Sequence, residues 1–233
     1  MTGTRTATLR RLGVLPAALV LTLIAALLLA LPRGGAQAAP ADVHSHGVVV
    51  APRTTAQVAF HDQMRKLWED HITWTRLAIV TFADGSNGFD ATAARLLQNQ
   101  ADIGDAIKPF YGDAAGDQLT ALLRDHILIA VDVLKAAKAG DSAAFTEANA
   151  RWYANANDIA DFLAAANPRF WPDDVMRAAM KEHLDQTLAE AAHELSGDYA
   201  ASVADYDQVH AHILAMADTI SSGIIGAFPS RVG

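Results

Sequence analysis

The segment Leu67-Trp-Glu-Asp-His-Ile72 returns 55 residues later as Leu122-Leu-Arg-Asp-His-Ile127, and a third version, Ala179-Met-Lys-Glu-His-Leu184, follows after a further 57 residues. The stretches that follow also correspond, because Ala94-Arg-Leu-Leu-Gln-Asn99 aligns with Ala150-Arg-Trp-Tyr-Ala-Asn155. A repeat of this length is typical of stacked supersecondary units that share one core. The sequence therefore predicts three repeats, at about 60–110, 113–166 and 172–227.

Each repeat reads as two helices joined by a short turn. Ala-rich stretches carry Leu, Ile and Val at three- and four-residue spacing, and no stretch alternates like a strand. The pairs Gly112-Asp113, Gly140-Asp141 and Gly197-Asp198 each place a helix-ending glycine before an N-capping aspartate. The predicted fold is all-α, with three repeated antiparallel helical hairpins forming a six-helix bundle over 55–228, and a short solenoid is the alternative. The predicted helices cover about 55–83, 89–109, 113–139, 141–166, 172–196 and 198–227.

The first 38 residues have the order of a secretory signal peptide. Arg5, Arg10 and Arg11 precede an uncharged run from Leu12 to Leu31, and Ala36-Gln-Ala38 supplies a small-x-small cleavage site. We therefore expect a secreted or extracytoplasmic protein, with 39–54 as a flexible lead-in. The apolar run is also long enough to cross a bilayer, so an uncleaved membrane anchor is the alternative.

Composition excludes several classes of function. The chain has no cysteine, which excludes disulfide scaffolds, Cys-ligated zinc, iron–sulfur clusters and thiol catalysis. It carries 18 basic and 26 acidic residues, and four of the arginines lie in the signal segment, so the exported chain keeps 14 basic residues and a net charge of −12. Such a surface repels phosphate backbones, and we expect no nucleic-acid partner.

The repeat places one histidine on the first helix of each hairpin, namely His71, His126 and His183. An antiparallel hairpin brings His71 toward Asn99 or Asp102, and His126 toward Asn155 or Asp158. One interpretation is a buried polar layer that fixes helix register. The other is a site in which the three histidines converge on a common axis and bind a small ligand or a metal ion, with Asp102 and Asp158 as ligands or as acceptors that orient the imidazoles.

The metal hypothesis has a defined chemistry. Imidazole and carboxylate donors without sulfur favour zinc, copper, nickel or iron over calcium, so the expected cofactor is a divalent transition metal. Glu190-x2-His193 has the spacing found in carboxylate-bridged di-metal bundles, which makes Glu190 a further candidate ligand. On the last helix, His210 and His212 lie on opposite faces, and His212 is the better inward candidate because it occupies the Asn position of the repeat.

Catalytic signatures are scarce. The sequence has no Gly-x-Ser-x-Gly, no phosphate-binding Gly-rich loop, no His-Glu-x2-His and no dinucleotide fingerprint. The function classes left open are an exported ligand- or metal-binding bundle and a structural or interaction module of the cell envelope. A hydrolase or transferase using His126 and Asp158 as a base pair is the third option. Convergence of the three histidines around a cavity would favour binding, whereas burial of each one inside its own hairpin would favour structure.

Three segments carry a resemblance to a known group of proteins. Leu67-Trp-Glu-Asp-His-Ile-Thr-Trp-Thr-Arg76, Asp102-Ile-Gly-Asp-Ala-Ile-Lys-Pro-Phe-Tyr-Gly-Asp113 and Arg151-Trp-Tyr-Ala-Asn-Ala-Asn-Asp-Ile159 resemble an uncharacterised family of bacterial secreted all-helical proteins. The resemblance covers most of 60–227 and implies an all-helical fold without a transferable activity. Members are sometimes labelled glycosyltransferase, whereas this chain lacks the alternating α/β pattern expected of nucleotide-sugar enzymes.

Overall fold

A computed structural model describes residues 54–232, which form six α-helices and contain no strand. The all-α prediction is therefore confirmed for this part of the chain. The signal segment expected at 1–38 and all of the expected lead-in except Thr54 lie outside the described residues. The helices are α1 Thr55–Ala83, α2 Phe89–Tyr111, α3 Asp113–Ala139, α4 Ser142–Ala166, α5 Asp173–Ser196 and α6 Tyr199–Ala227.

Local cap chemistry sets the helix ends. Gly140 and Gly197 have φ of 69° and 80°, a left-handed conformation that glycine adopts without strain, and they end α3 and α5. The side chains of Asp141 and Asp198 then accept hydrogen bonds from the backbone N–H groups of Ala144 and Ala201, which caps α4 and α6 as predicted.

The junction between α2 and α3 differs from the prediction. Asp113 is the first residue of α3, and Gly112 alone ends one helix and starts the next. A single linking residue leaves no room for a separate N-cap, so the expected capping role of Asp113 is wrong. Pro109 lies in the last turn of α2, and the helix continues through it to Tyr111.

The six helices form a closed bundle. Each helix packs against its neighbours in the chain, and α1 also packs against α6, which closes the arrangement. α5 makes further contacts with α1 and α3, so these three helices lie toward the inside. The alternative of an open solenoid is wrong, because the ends of a solenoid would not meet. Between residues 54 and 232 no helix is both long enough and apolar enough to span a bilayer.

Part of the apolar core lies at matching registers of α1, α3 and α5. Ile79, Leu134 and Ala191, which the 55- and 57-residue spacings align, form a cluster near one end of the bundle. The three repeat histidines occupy another matched register, and they are polar residues within an otherwise apolar part of the core. Three further matched registers are buried and apolar throughout, namely Met64 with Leu119 and Met176, Trp68 with Leu123 and Met180, and Ile72 with Ile127 and Leu184.

Helices α2 and α3 approach most closely where both lack side chains. A Cβ atom added at Gly104 would collide with the side chain of Thr120 and lie 2.6 Å from the carbonyl oxygen of Gly116. A Cβ atom at Gly116 would lie 2.6 Å from the carbonyl oxygen of Gly104. Glycine at both positions is therefore required by the crossing of the two backbones.

Candidate functional site

The structure brings the three repeat histidines together. His71, His126 and His183 are 2%, 3% and 4% exposed, so all three are buried inside the bundle. The ring centroid of His183 lies 5.8 Å from that of His71 and 6.3 Å from that of His126. His183 is thus the centre of the group, which we call the histidine layer. His212 on α6 extends the layer, with its ring centroid 6.4 Å from that of His183.

Two tryptophans pack on the histidine layer. The indole of Trp68 meets the ring of His71 edge-on, with the ring centroids 5.7 Å apart. The ring centroids of Trp152 and His126 are 5.4 Å apart. Both tryptophans are buried in the core. Their indole N–H groups, however, are buried with no hydrogen-bond partner among the described residues. Buried donors of this kind usually find a partner, so these two need an explanation beyond packing.

One hydrogen bond recurs between α1 and α2, between α3 and α4, and between α5 and α6. Asn99 donates to the carbonyl of Leu67 at 3.0 Å, and Asn155 donates to the carbonyl of Leu122 at 3.1 Å. The ring Nε2 of His212 lies 2.9 Å from the carbonyl of Ala179. A carbonyl oxygen only accepts, so Nε2 of His212 carries a proton. These three acceptors are the first residues of the three repeated segments.

The partner of His126 follows from that arrangement. The amide nitrogen of Asn155 is directed to Leu122, so its oxygen faces His126, and Nδ1 of His126 donates to it at 2.8 Å. Nε2 of His126 is then the unprotonated nitrogen and has no protein partner in residues 54–232. Of the two partners expected for His126, the structure selects Asn155.

The partner of His71 is Gln100, which sequence analysis missed. The Gln100 amide nitrogen donates to the carbonyl of Leu96 at 2.7 Å and lies 3.3 Å from Nδ1 of His71. Nδ1 of His71 therefore accepts, and its proton sits on Nε2. The aligned position in the second repeat is Ala156, so no repeat signal marks Gln100. The side-chain oxygen of the expected partner Asn99 lies 3.2 Å from the same amide nitrogen, whose two N–H groups are shared among the three neighbouring acceptors.

The aspartates expected at the site lie elsewhere. Asp102 accepts from Gln98 at 3.1 Å and lies 3.6 Å from Arg95, on the outer side of α2. Asp158 is exposed and lines an open surface groove with Asp161. Each aspartate lies about 60° around its helix from the inward-facing asparagine. Its carboxylate is on the solvent side, where an ionised group is cheaper to keep. The expected contacts of His71 with Asp102 and of His126 with Asp158 are wrong, and the base pair of His126 and Asp158 is wrong with them.

Glu190 is buried, but in a different cluster. Its Oε1 lies 3.1 Å from Arg76, whose other terminal nitrogen lies 3.1 Å from Glu194, and Ser202 donates to Glu194 at 2.6 Å. Burial raises the pKa of Glu190 to about 7, against the opposing effect of the Arg76 guanidinium. His193, three residues further along α5, bonds Asp205 at 2.6 Å.

The histidine layer borders a cavity of about 50 Å³. All three repeat histidines line it, together with Trp152 and the hydroxyl-bearing Thr75 and Thr187. The rest of the wall is apolar and includes the Ile79, Leu134 and Ala191 cluster. The cavity therefore has imidazoles on one side and hydrocarbon on the other.

Burial keeps the histidine layer uncharged. It lowers the pKa of His71 to about 3, with the nearby His126 adding to the effect and the Gln100 hydrogen bond opposing it. It lowers the pKa of His126 to about 4, against the effect of its bond to Asn155. For His183 burial again acts first, the other three imidazoles add to it, and the pKa falls well below 6.5. At neutral pH the layer presents neutral rings, donors and acceptors but no charge.

The arrangement of the described side chains gives no support to the metal hypothesis. Among residues 54–232, no group of three or more His, Asp or Glu side chains is arranged to hold a metal ion. No family model, curated protein or solved structure matches the chain.

Proposed function

We propose that the protein is an exported helical bundle whose histidine layer binds a small ligand in the adjoining cavity. The observation that carries this proposal is the convergence of His71, His126 and His183 on one cavity, although each comes from a different helix. Ligand pockets in helical bundles are commonly built from side chains on facing helices, with a few polar groups set in an apolar wall. The histidine layer and its cavity have this composition.

The proposal includes a fold of three repeated hairpins, with one imidazole from each. It is supported by the hydrogen bond that recurs between the two helices of each pair, at Asn99, Asn155 and His212. Matching buried registers on α1, α3 and α5 give it further support. Such a repeat explains why equivalent histidines arrive at one axis.

A structural module of the cell envelope is the second candidate. His71 and His126 each bond a side chain on the neighbouring helix, as expected of a polar layer that fixes register. The unpartnered Nδ1 of His183 and Nε1 of Trp152 favour binding over this alternative, because a purely structural layer gains nothing from unpaired buried groups.

Binding is tested by thermal melting of the purified protein. A cocktail of neutral fragments with three to six heavy atoms is added to one sample, and Zn(II), Cu(II), Ni(II) or Fe(II) to the others. A ligand that binds the folded state raises the melting temperature with its concentration. Ala191→Leu fills the cavity and should abolish the rise, whereas the matched change Ala150→Leu, at an exposed position on α4, should preserve it. No rise with any probe would leave the structural candidate.

Export is tested separately by the mass of the protein recovered outside the cytoplasm. Cleavage after Ala38 gives a chain that starts at Ala39. A full-length chain found in the membrane fraction would indicate an uncleaved anchor, and a full-length chain found in the cytoplasm would contradict export.

A further inference from the structure

We infer that the ligand of the histidine layer is a small uncharged alcohol, with its hydroxyl at the imidazoles and its hydrocarbon in the apolar half of the cavity. This inference rests on the proposed function and names the chemical class of the ligand.

The first argument is the absence of charge from the wall. Among the described residues that line the cavity there is no Asp, Glu, Lys or Arg. Arg76 and Glu190 adjoin the cavity-lining residues Thr75 and Ala191 in the chain. They bond each other and do not line the cavity. An ion entering the cavity would lose its hydration and gain no counter-charge, which costs several kcal/mol. The wall therefore selects against carboxylates and ammonium groups. Against metal cations the ground is geometric, because the side chains of residues 54–232 are not arranged to hold one.

The second argument is the set of polar atoms without partners. The hydrogen bonds of the layer leave an N–H donor on His71 and a lone pair on His126. Nδ1 of His183 and the indole N–H of Trp152 are buried and unpartnered as well. A hydroxyl group donates one hydrogen bond and accepts others, so a single hydroxyl complements both kinds of atom. A ketone only accepts, and a hydrocarbon does neither.

The third argument is size. The cavity of about 50 Å³ is larger than the ~10–15 Å³ that a cavity needs to hold one water and smaller than the ~150 Å³ of an engineered cavity that holds benzene. A ligand with roughly three to five non-hydrogen atoms fits between these limits. Opposite the histidine layer, Ile79, Leu134 and Ala191 offer only hydrocarbon to the end of the ligand remote from the hydroxyl.

The experiment compares three probes of matched size, 1-propanol, propylammonium and propionate, with Zn(II) as a fourth. Long-range 15N–1H spectra of the imidazoles at pH 7 report binding at each ring nitrogen. We expect 1-propanol to shift the signals of His71, His126 and His183 in a saturable way and to bind at least about tenfold more tightly than either charged probe. The shifts should vanish in Ala191→Leu and persist in Ala150→Leu.

The possible failures are distinguishable. Saturable shifts with propionate, propylammonium or Zn(II), equal to or tighter than those with 1-propanol, would overturn the alcohol assignment and leave the proposed function standing. If none of the four probes shifts any imidazole, both proposals fall, and the cavity holds nothing but water.

Discussion

The imidazoles of His71 and His183 lie with their ring centroids 5.8 Å apart, on the first and the fifth helix of the bundle. The same ring of His183 also neighbours His126 and His212. One buried ring therefore lies beside three others, and burial is the main reason that His71, His126 and His183 are neutral.

His126→Ala should destabilise the protein more than His210→Ala. The first change leaves the buried oxygen of Asn155 without its donor, which costs roughly 1–3 kcal/mol, and it adds a cavity cost. His210 lies near the surface, where its 3.4 Å contact with Glu69 is worth about 0–1 kcal/mol. Urea denaturation at pH 7 measures both variants. Equal midpoints would show that His126 has no buried partner.

Stability should decrease as the pH falls from about 6.5 to about 4. In the unfolded chain the histidines take up protons near 6.5, whereas folding lowers the pKa of His71 to about 3 and that of His126 to about 4. The unfolded state thus binds more protons in this window, so acid favours unfolding. For His126 alone the unfolding free energy should fall by an amount on the order of 3 kcal/mol. His126→Gln should flatten the dependence of the unfolding free energy on pH. An unchanged slope would argue against a buried neutral His126.

Glu190 should produce the opposite dependence. Its pKa is raised from 4.5 to about 7, so the folded state holds the proton more tightly than the unfolded one. This contribution to stability is complete below about pH 4.5 and is lost as the pH rises through about 7. Between pH 4.5 and pH 8, the unfolding free energy of the wild-type protein should therefore fall by on the order of 3 kcal/mol relative to that of Glu190→Gln. Parallel curves for the two proteins would mean that Glu190 is ionised throughout the range.

Gly104→Ala should destabilise the bundle by roughly 1–3 kcal/mol, because the added methyl group meets the side chain of Thr120 and the backbone of Gly116. Gly88→Ala serves as the control, since its new Cβ would lie 3.4 Å from its nearest neighbour, the hydroxyl of Ser86, in ordinary contact. Melting temperatures of the two variants test this crossing. A Gly104→Ala protein as stable as Gly88→Ala would mean that α2 and α3 are further apart than described.

The helices could be predicted from the sequence to within two residues at each end. Their ends depend on local chemistry, such as the left-handed glycines and the capping side chains of Asp141 and Asp198. Closure of the bundle could not be predicted in this way, because the packing of α1 on α6 joins residues far apart in the chain. The repeat predicted Asn155 as one of two partners of His126, but it carried no signal for Gln100, the partner of His71.

The sequence contains a signal for the burial of Glu190, although helical periodicity alone does not reveal it. The repeat aligns Glu190 with Ala78 and Val133, which are both buried. Its partner Arg76 aligns in the same way with Val131 and Leu188, which both line the cavity. Charged residues at registers that are apolar in the other two repeats therefore indicate a buried ion pair. Asp102 and Asp158 show the opposite case. The first two repeats share an aspartate at this position, and its carboxylate lies on the solvent side in both.

The central claim is that His71, His126 and His183 form one binding site, and a titration read at all three imidazoles tests it most directly. With 1-propanol as the probe, the 15N signals of the three rings should change along a single binding curve with one dissociation constant, while the signals of His210 stay fixed. Three different dissociation constants, or a response confined to one ring, would contradict a shared site and leave three independent histidines in the core.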